Sequence, residues 1–289
     1  MTALAESRSA ARPDPAAEHI VDVLIRERAP HLSRSPAWPL LRPLLYTMLG
    51  YRQAREMANA IATMSGRQVL DYAAGLLDLK VTARGLERLP ATGRLIVIVN
   101  HPTGLADGMA VDDALAKARP DLCYFANADA LRVCPGLGDV FIPVEWVEAK
   151  RTRERTRLTV KLAQEALEAG RPIVIFPAGR ISRMRNGVLT DPAWTPSALS
   201  LARRHDAPVL PVHLHGPPST LFRLFDRLSP ELRDITLFHE LFNKRGGAFR
   251  LTVGPLIAPS AIGDPSQDIV RLKAYVEQVL PVHPDQPFS

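Results

Sequence analysis

Short apolar runs and longer amphipathic stretches alternate along most of the chain. The runs are rich in β-branched residues and are bounded by proline, glycine or polar clusters, which predicts buried strands. In the longer stretches apolar residues recur every three or four positions, which predicts helices packed by one face. The predicted strands are 95–99, 122–126, 140–147, 172–176, 208–214 and 249–253, and the predicted helices are 107–118, 151–169, 194–205 and 217–227. This alternation indicates an α/β fold with a layered, mixed sheet flanked by helices.

The N-terminal part of the chain predicts helices. Residues 17–29 are amphipathic and stop at Pro30, and residues 53–76 continue as one helix. The Ala, Ser, Arg and Pro composition before them is that of a disordered tail. We therefore divide the chain into a disordered tail 1–16, an N-terminal helical region 17–76, a main domain 77–258, and a C-terminal helix and tail 259–289.

The segment 36–51 admits two interpretations. It is apolar and aromatic, with Trp38, Tyr46 and Tyr51, and arginines edge it. Tryptophan and tyrosine favour the headgroup level of a membrane and arginine attracts anionic lipid, so this helical extension can face a membrane. Apolar helix faces are also the usual cover of a protein core. One helix can do both with different faces, and both interpretations stay open.

Composition and charge limit the classes of molecule that the chain is expected to bind. The chain has 289 residues, of which 46% are hydrophobic and 23% charged, which is typical of a globular protein with one large domain or one domain and an extension. Its net charge of +6 favours anionic partners such as acidic lipid headgroups, coenzyme A phosphates, acyl-carrier protein or nucleic acid. The basic run 150–157 leads into a helical pattern without interleaved aromatic residues, so we expect a solvated or membrane-facing helix start and no nucleic-acid partner.

Candidate chemistry lies in the stretch 94–108. The run Leu95–Val99 has the length of a strand buried on both faces, and Pro102 must end it. His101 then lies just past the carboxyl end, where open α/β sheets bind ligands. Asp107 opens the next helix and can hold His101 in one tautomer, which leaves the other ring nitrogen free to accept a proton. Alternatively, Asp107 only caps the helix and His101 is an ordinary loop residue.

Four blocks of sequence carry a family resemblance. Asn100-His101 followed by Asp107 resembles the histidine-aspartate motif of the glycerolipid acyltransferases, which include the lysophosphatidate acyltransferases. The family's later blocks are matched in order by 138–144, 173–182 and 207–212, so the resemblance spans residues 85–258. It implies a glycerol-3-phosphate acyltransferase-like fold and an acyltransferase catalytic domain at 77–258. It also implies that His101 is the general base for an acceptor hydroxyl, that Asp107 orients it, and that the hydroxyl attacks an acyl thioester.

The third block resembles the family's usual Phe-Pro-Glu-Gly-Thr-Arg-Ser. The resemblance implies substrate-binding residues in this block and in the His–Asp turn: Gly104, Phe176, Pro177, Gly179, Arg180, Ser182 and Arg183. Gly179 permits close backbone approach to a ligand, and its neighbours can present N–H groups to an oxyanion. The alternative is a plain connection between a strand and a loop.

The spacing of the first block departs from the family pattern. Five residues, 102–106, separate His101 from Asp107, where the family has four. The form His-Pro-x-Gly-x-x-Asp-Gly resembles a divergent, hemolysin-like branch associated with amino-acid-containing lipids such as ornithine lipids. The segments 237–246 and 249–255 also resemble that branch.

Two arginines of the family pattern are missing. Ala178 and Ile181 replace the glutamate and arginine of the third block, and Val144 stands where the second block often has arginine. The family's arginines contact phosphate, for which their bidentate fork is suited. A simple phosphate-bearing acceptor is therefore disfavoured unless Arg180 or Arg183 substitutes for them.

Other chemistries are less well supported. The Gly-x-Ser-x-Gly elbow of serine hydrolases is absent, and Gly136-Leu-Gly138 lacks the third glycine of a dinucleotide fingerprint. His213-Leu-His215 places two imidazoles on one face of a strand, where zinc is conceivable with His101 and Asp107 but packing is the default. We expect no metal and no cofactor beyond the acyl donor.

These observations predict an O-acyltransferase with an acyl-CoA or acyl-carrier-protein donor and a lysolipid acceptor. The acceptor is a lysophospholipid or a lyso-amino-acid lipid. No stretch reaches the roughly 18 apolar residues that span a bilayer, the N-terminus has no signal core, and two isolated cysteines suit a reducing compartment. We therefore expect a cytoplasmic protein, peripheral or monotopic on the inner membrane surface. The alternative, motivated by Ala178 and the wide His-to-Asp spacing, is a non-catalytic lipid-binding membrane-associated protein that keeps the fold.

Overall fold

The computed structural model describes residues 18–145 and 151–289. The strands are β1 Lys80–Arg84, β2 Leu95–Val99, β3 Cys123–Asn127, β4 Phe141–Val144, β5 Pro172–Ile175, β6 Arg183–Arg185, β7 Val188–Thr190, β8 Val209–His215 and β9 Ala248–Val253. The helices are α1 Ile20–Arg28, α2 Pro30–Arg34, α3 Trp38–Met48, α4 Tyr51–Ile61, α5 Gly66–Leu77, α6 Leu105–Leu115, α7 Asp129–Val133, α8 Arg153–Glu168, α9 Ser197–Arg204, α10 Thr220–Leu228, α11 Pro230–Asp234, α12 Leu237–Phe242 and α13 Pro265–Ala274. The predicted tail 1–16, the end of the predicted strand 140–147 and the first residue of the basic run lie outside the described residues.

Seven strands form one mixed sheet in the order β1-β9-β8-β2-β5-β3-β4. From β8 to β4 the strands are parallel; β9 is antiparallel to β8, and β1 pairs with β9 in parallel. The register places Ile96 of β2 between Ile173 of β5 and Val209 of β8. The predicted mixed α/β architecture is confirmed, and β2 is its central strand.

The side chains of β2 are buried on both faces of the sheet, as its uninterrupted apolar run predicts. Leu95, Val97 and Val99 pack in a core with α5 and α6. Ile96 and Ile98 pack on the opposite side in a core with α8, α9 and α13. Burying an aliphatic side chain of this size contributes about 1.5–3 kcal/mol. The strand that leads to His101 is therefore held firmly from two sides.

The prediction of one helix over 53–76 is wrong. The chain forms α4 and α5 instead, and Ser65 begins the second of them. The Ser65 hydroxyl accepts from Gln68 N–H, while the Gln68 side chain accepts from Ser65 N–H. This reciprocal capping satisfies N–H groups that a helix start leaves without partners. Within the described chain no helix is both long enough and apolar enough to cross a membrane.

The apolar pattern did not predict the hairpin that follows the third block. β6 and β7 pair antiparallel around Asn186 and Gly187, whose φ angles of 50° and 80° are those of a tight hairpin turn. The Asn-Gly dipeptide is the sequence signal for this turn. Because the hairpin reverses the chain, it returns Asp191 to the end of β2.

Two predicted helices begin later than their apolar patterns suggest. The prediction 194–205 becomes α9, which leaves Trp194 in the preceding loop. The prediction 217–227 becomes α10, because Pro217 and Pro218 come before its first turn. Both loops contact the turn that follows β2, Asp191 at His101 N–H and Ser219 at Thr103 O, so the later helix starts bear on the site.

Candidate active site

The carboxyl end of β2 leads to His101, the first predicted site residue, through Asn100. Asn100 continues the pairing of β2 with β8: its side-chain amide donates to Leu214 O at 2.9 Å, and Leu214 N–H donates to Asn100 Oδ1 at 2.7 Å. This bridge ties the end of β2 to its neighbour. His101 is the next residue, so it leaves the sheet from a fixed point.

Asp107 lies in the first turn of α6 with its side chain fully buried. Its Oδ2 atom accepts from His101 Nδ1 at 2.8 Å, from Thr103 N–H at 2.9 Å and from Gly104 N–H at 3.0 Å. The Thr103 hydroxyl donates to Oδ1. These donors compensate the burial of a charge that would otherwise be costly. Asp107 therefore caps the turn and also binds the imidazole, so a cap alone does not describe it.

The contact with Asp107 fixes how the His101 imidazole is presented. An ionised carboxylate only accepts hydrogen bonds, so Nδ1 carries the proton and Nε2 is the acceptor. The Phe176 ring lies beside the imidazole, with centroids 4.5 Å apart and planes inclined by 32°. The His101 side chain remains 18% exposed. An oriented, accessible Nε2 can take a proton from a bound hydroxyl group.

Gly104 lets the turn hold five residues between His101 and Asp107, one more than the family pattern has. Its φ of 109° and ψ of −140° belong to a region that residues with a Cβ atom avoid. A Cβ atom at this position would also lie 2.9 Å from Ile181 Cδ1 of the third block. The structure thus gives Gly104, predicted as a substrate contact, a role in shaping the turn.

The third block contacts the His–Asp turn through its main chain. Gly179 has a φ of 60°, and its N–H donates to Phe176 O at 2.9 Å, which closes a tight turn after β5. Its N–H is therefore engaged within the turn. Pro177 is buried there and accepts from Thr195 N–H through its carbonyl. Ser182 N–H donates to His101 O at 2.8 Å and joins the two blocks.

The polar residues predicted to bind substrate separate into two groups. Ser182 is buried and its hydroxyl donates to Asp191, so it lies inside the protein. Arg180 is exposed, and within the described residues no carboxylate pairs with it. Arg183 is partly exposed, with its guanidinium 3.4 Å from Asp226 of α10. Of these three residues, only the two arginines reach the surface, and Arg183 already has a carboxylate partner there.

Asp191 and Trp194 are site residues that sequence analysis missed. Both Asp191 carboxylate oxygens lie 3.1 Å from the His101 backbone nitrogen, which donates to them. The Trp194 indole N–H donates to the same carboxylate at 2.8 Å. The Asn-Gly turn before Asp191 signals a hairpin, but it does not indicate a partner that lies 90 positions earlier in the chain.

His213, one of the two histidines considered for zinc, is engaged otherwise. His213 Nδ1 donates to Val276 O at 3.0 Å, and burial lowers the pKa of His213 to about 4. Among the described residues, no three His, Cys, Asp or Glu side chains are grouped as a metal site requires. The Cys123 thiol is buried, which raises its pKa to about 11 and keeps it protonated.

Comparison with known proteins identifies the domain. A sequence model of the family described as Acyltransferase matches residues 80–215. A lyso-glycine lipid O-acyltransferase of Bacteroides thetaiotaomicron is 26% identical over 221 residues, which cover 74% of this chain and 79% of the relative. Together these matches support placing residues 80–215 in the glycerolipid acyltransferase family.

Further similarities extend over most of the acyltransferase. A lyso-glycine lipid O-acyltransferase of Phocaeicola vulgatus is 29% identical over 196 residues, covering 65% of this chain and 68% of the relative. The fold is similar to the crystal structure of the 1-acyl-sn-glycerophosphate (LPA) acyltransferase PlsC from Thermotoga maritima, with a TM-score of 0.50 and 15% identity. That match covers 84% of this chain and 96% of PlsC. The predicted family and fold are confirmed.

Proposed function

We propose that this acyltransferase moves a fatty acyl group from an acyl-CoA or acyl-carrier-protein thioester to the hydroxyl of a lysolipid. The observation that carries the proposal is the 2.8 Å hydrogen bond between His101 Nδ1 and the buried Asp107 carboxylate at the end of the central strand. It leaves Nε2 as an oriented base at the carboxyl ends of the strands, where α/β proteins bind ligands.

We propose a general-base mechanism that this geometry supports. His101 Nε2 removes the proton of the acceptor hydroxyl as its oxygen attacks the thioester carbonyl carbon. Asp107 stabilises the resulting imidazolium. When the tetrahedral intermediate collapses, the carbon–sulfur bond breaks and the imidazolium returns its proton to the departing thiolate. The products are an ester and a free thiol, and the histidine is restored.

For the acceptor, we propose a lysolipid with an amino-acid headgroup. The missing family arginines disfavour a simple phosphate monoester, and two sequence relatives are named lyso-glycine lipid O-acyltransferases. An amino-acid headgroup can present a carboxylate, for which arginine is a suited partner. Arg180 is the candidate for this contact, because it is exposed two residues before Ser182, which binds His101 O, and has no paired carboxylate in the described chain.

Substitution of Arg180 by methionine is expected to raise the KM for the acceptor about tenfold and to leave kcat within about twofold. A charge-assisted hydrogen bond is worth about 1.5–3 kcal/mol, and exposure to solvent brings it to the lower end. The measurement is initial-rate kinetics with lyso-glycine lipid, lyso-ornithine lipid and lysophosphatidate as acceptors. Arg185→Met, an exposed arginine on the following hairpin, is the matched control. Turnover of lysophosphatidate alone would exclude the amino-lipid assignment.

We further propose that α3 docks the enzyme on the cytoplasmic face of the inner membrane. Leu45 and the following Leu49 face inward and share a small core with Phe225 of α10. On the outer side of α3, Leu40 is 84% exposed and Leu44 is 67% exposed. Both interpretations of this segment therefore fit one helix, with one face on the protein and the other free for lipid. Nearby arginines would attract anionic headgroups.

The double substitution Leu40→Gln and Leu44→Gln is expected to weaken vesicle binding by about tenfold or more per leucine. Burial of one leucine side chain contributes about 1.5–3 kcal/mol, and every 1.4 kcal/mol corresponds to a factor of ten. The measurement is co-sedimentation with vesicles containing phosphatidylglycerol. Val270→Gln, on α13, is the control because Val270 is 66% exposed in a different part of the fold. Equal loss of binding in the control variant would contradict docking through α3.

A further inference from the structure

A second buried carboxylate lies behind the His–Asp pair. Asp191 is 3% exposed and receives three kinds of donor: the His101 backbone N–H, the Ser182 hydroxyl and the Trp194 indole N–H. Its contact with His101 is to the main chain, whereas Asp107 binds the ring. The general base is therefore held at two separate points by two carboxylates.

The C-terminal helix supports this carboxylate. Directly after α13, residues 275–279 form a π-helical turn that contains Glu277, and such turns are frequent at functional sites. Glu277 accepts from Asp191 N–H at 2.7 Å and from the Thr190 hydroxyl at 2.7 Å. Lys273 donates to Glu277 at 2.6 Å and balances its charge. A continuous hydrogen-bonded path thus runs from the C-terminal helix to His101.

Burial of Asp191 opposes its ionisation. Desolvation raises the pKa of this carboxyl, while the hydrogen bonds from Ser182, Trp194 and His101 act in the opposite direction. A buried carboxyl costs free energy even when it is hydrogen-bonded, and an apolar residue would avoid that cost. What the carboxylate provides here is two acceptor atoms that hold one backbone N–H and two side chains together.

We infer that Asp191 is a positioning residue for the general base. It fixes the main chain of His101, and Ser182, Trp194 and Glu277 hold Asp191 in turn. Asp107 sets the plane and tautomer of the ring, while Asp191 sets the position of the backbone from which the ring projects. Together they determine where Nε2 meets the acceptor hydroxyl. This inference rests on the proposed role of His101 as the base.

The consequence for catalysis is large because general-base transfer depends on distance. A misplacement of about 1 Å can lower a rate by about 10²-fold without weakening substrate binding. Ser182 donates to Oδ1 of Asp191 and Trp194 to Oδ2, and an asparagine at position 191 replaces one of these two acceptor oxygens with an NH₂ group. One N–H or hydroxyl donor would then face the amide NH₂ group, and the turn that carries His101 would shift.

The test compares Asp191→Asn with Asp112→Asn. Asp112 is equally buried at 3% exposure and binds Arg67 and the Tyr124 hydroxyl on the same side of the sheet as Asp107, but it does not contact the site turn. In Asp191→Asn, kcat is expected to fall by about 10²-fold with both KM values within about twofold. Asp112→Asn is expected to lower the melting temperature and leave kcat within about twofold of wild type.

Each outcome decides the inference. If Asp191→Asn lowers only the melting temperature, as the control does, the positioning role is overturned. If Asp191→Asn does not fold, Trp194→Phe removes one donor and keeps the carboxylate. Because one of the hydrogen bonds that hold Asp191 is lost, this variant is expected to lower kcat about three- to tenfold at constant KM. An unchanged kcat in that variant also overturns the role. Full activity of His101→Ala in the same assay would instead overturn the proposed function.

Discussion

Replacing His101 with alanine is expected to lower kcat for acyl transfer by a factor on the order of 10²–10⁴, the usual contribution of a positioned general base. Without Nε2 there is no group at the end of β2 to take the hydroxyl proton. The measurement is kcat and KM with a saturating acyl thioester, together with the melting temperature. KM should change little, because His101 binds the proton that is transferred and not the lipid chain.

The control for His101→Ala is the same substitution at a second histidine, His215. His215 is exposed at the carboxyl end of β8, the strand beside β2, and in the described chain no hydrogen bond joins it to His101 or Asp107. His215→Ala is expected to leave kcat within about twofold, as surface substitutions generally do. A His101→Ala variant with more than half of the wild-type kcat would contradict the assignment of the base.

Asp107→Asn is expected to lower kcat/KM by a factor on the order of 10³–10⁴, comparable with the loss when the carboxylate that orients a catalytic histidine becomes an amide. Asparagine offers a single acceptor oxygen to the four donors that now bind the carboxylate. The imidazole then loses its fixed tautomer. Donors left without acceptors are expected to reduce the free energy of unfolding by about 1–3 kcal/mol.

The control for Asp107→Asn is Asp113→Asn, which lies on the same helix with its side chain exposed. Kinetics and urea unfolding of both variants separate the effect on catalysis from the effect on the helix. We expect Asp113→Asn to match wild type in both measurements. If Asp107→Asn retained wild-type activity while losing stability, Asp107 would be only a helix cap.

The sequence predicts the part of the site that local pattern controls. Leu95–Val99 is apolar at every position because both faces of β2 are covered, so its position at the centre of the sheet follows from its composition. Pro102 ends the strand, which places His101 at the carboxyl edge. Asp107 follows in the first helical turn, where a carboxylate is favoured. These are short-range effects, and the structure agrees with all of them.

The rest of the site depends on contacts between distant segments. Ser182 is predicted as a substrate contact, but its hydroxyl binds Asp191 because the unpredicted hairpin folds back beneath the third block. Asp191 reaches His101 only after that reversal, and Glu277 contacts Asp191 through a π-helical turn of the C-terminal segment. Apolar periodicity carries no information about which polar loops will meet. Such partners become visible only when the chain is folded.

The five-residue spacing between His101 and Asp107 could be read from the sequence, but its effect on the geometry of the site could not. It is plain in the sequence, and it motivates the non-catalytic alternative because a longer turn can separate the two side chains. The positive φ of Gly104 absorbs the extra residue and returns Asp107 to within 2.8 Å of the imidazole. The glycine was visible in the sequence, but its conformation was not.

The most direct test of the central claim is an assay of the purified protein with lyso-glycine lipid and an acyl thioester, supplied as acyl-CoA and as acyl-carrier protein. We predict one free thiol released for each acyl ester formed on the acceptor hydroxyl by the wild type, and formation of both products slower by a factor on the order of 10²–10⁴ with His101→Ala. Vesicle binding without ester formation on any acceptor of the panel would contradict the account and identify a lipid-binding protein that has kept the acyltransferase fold.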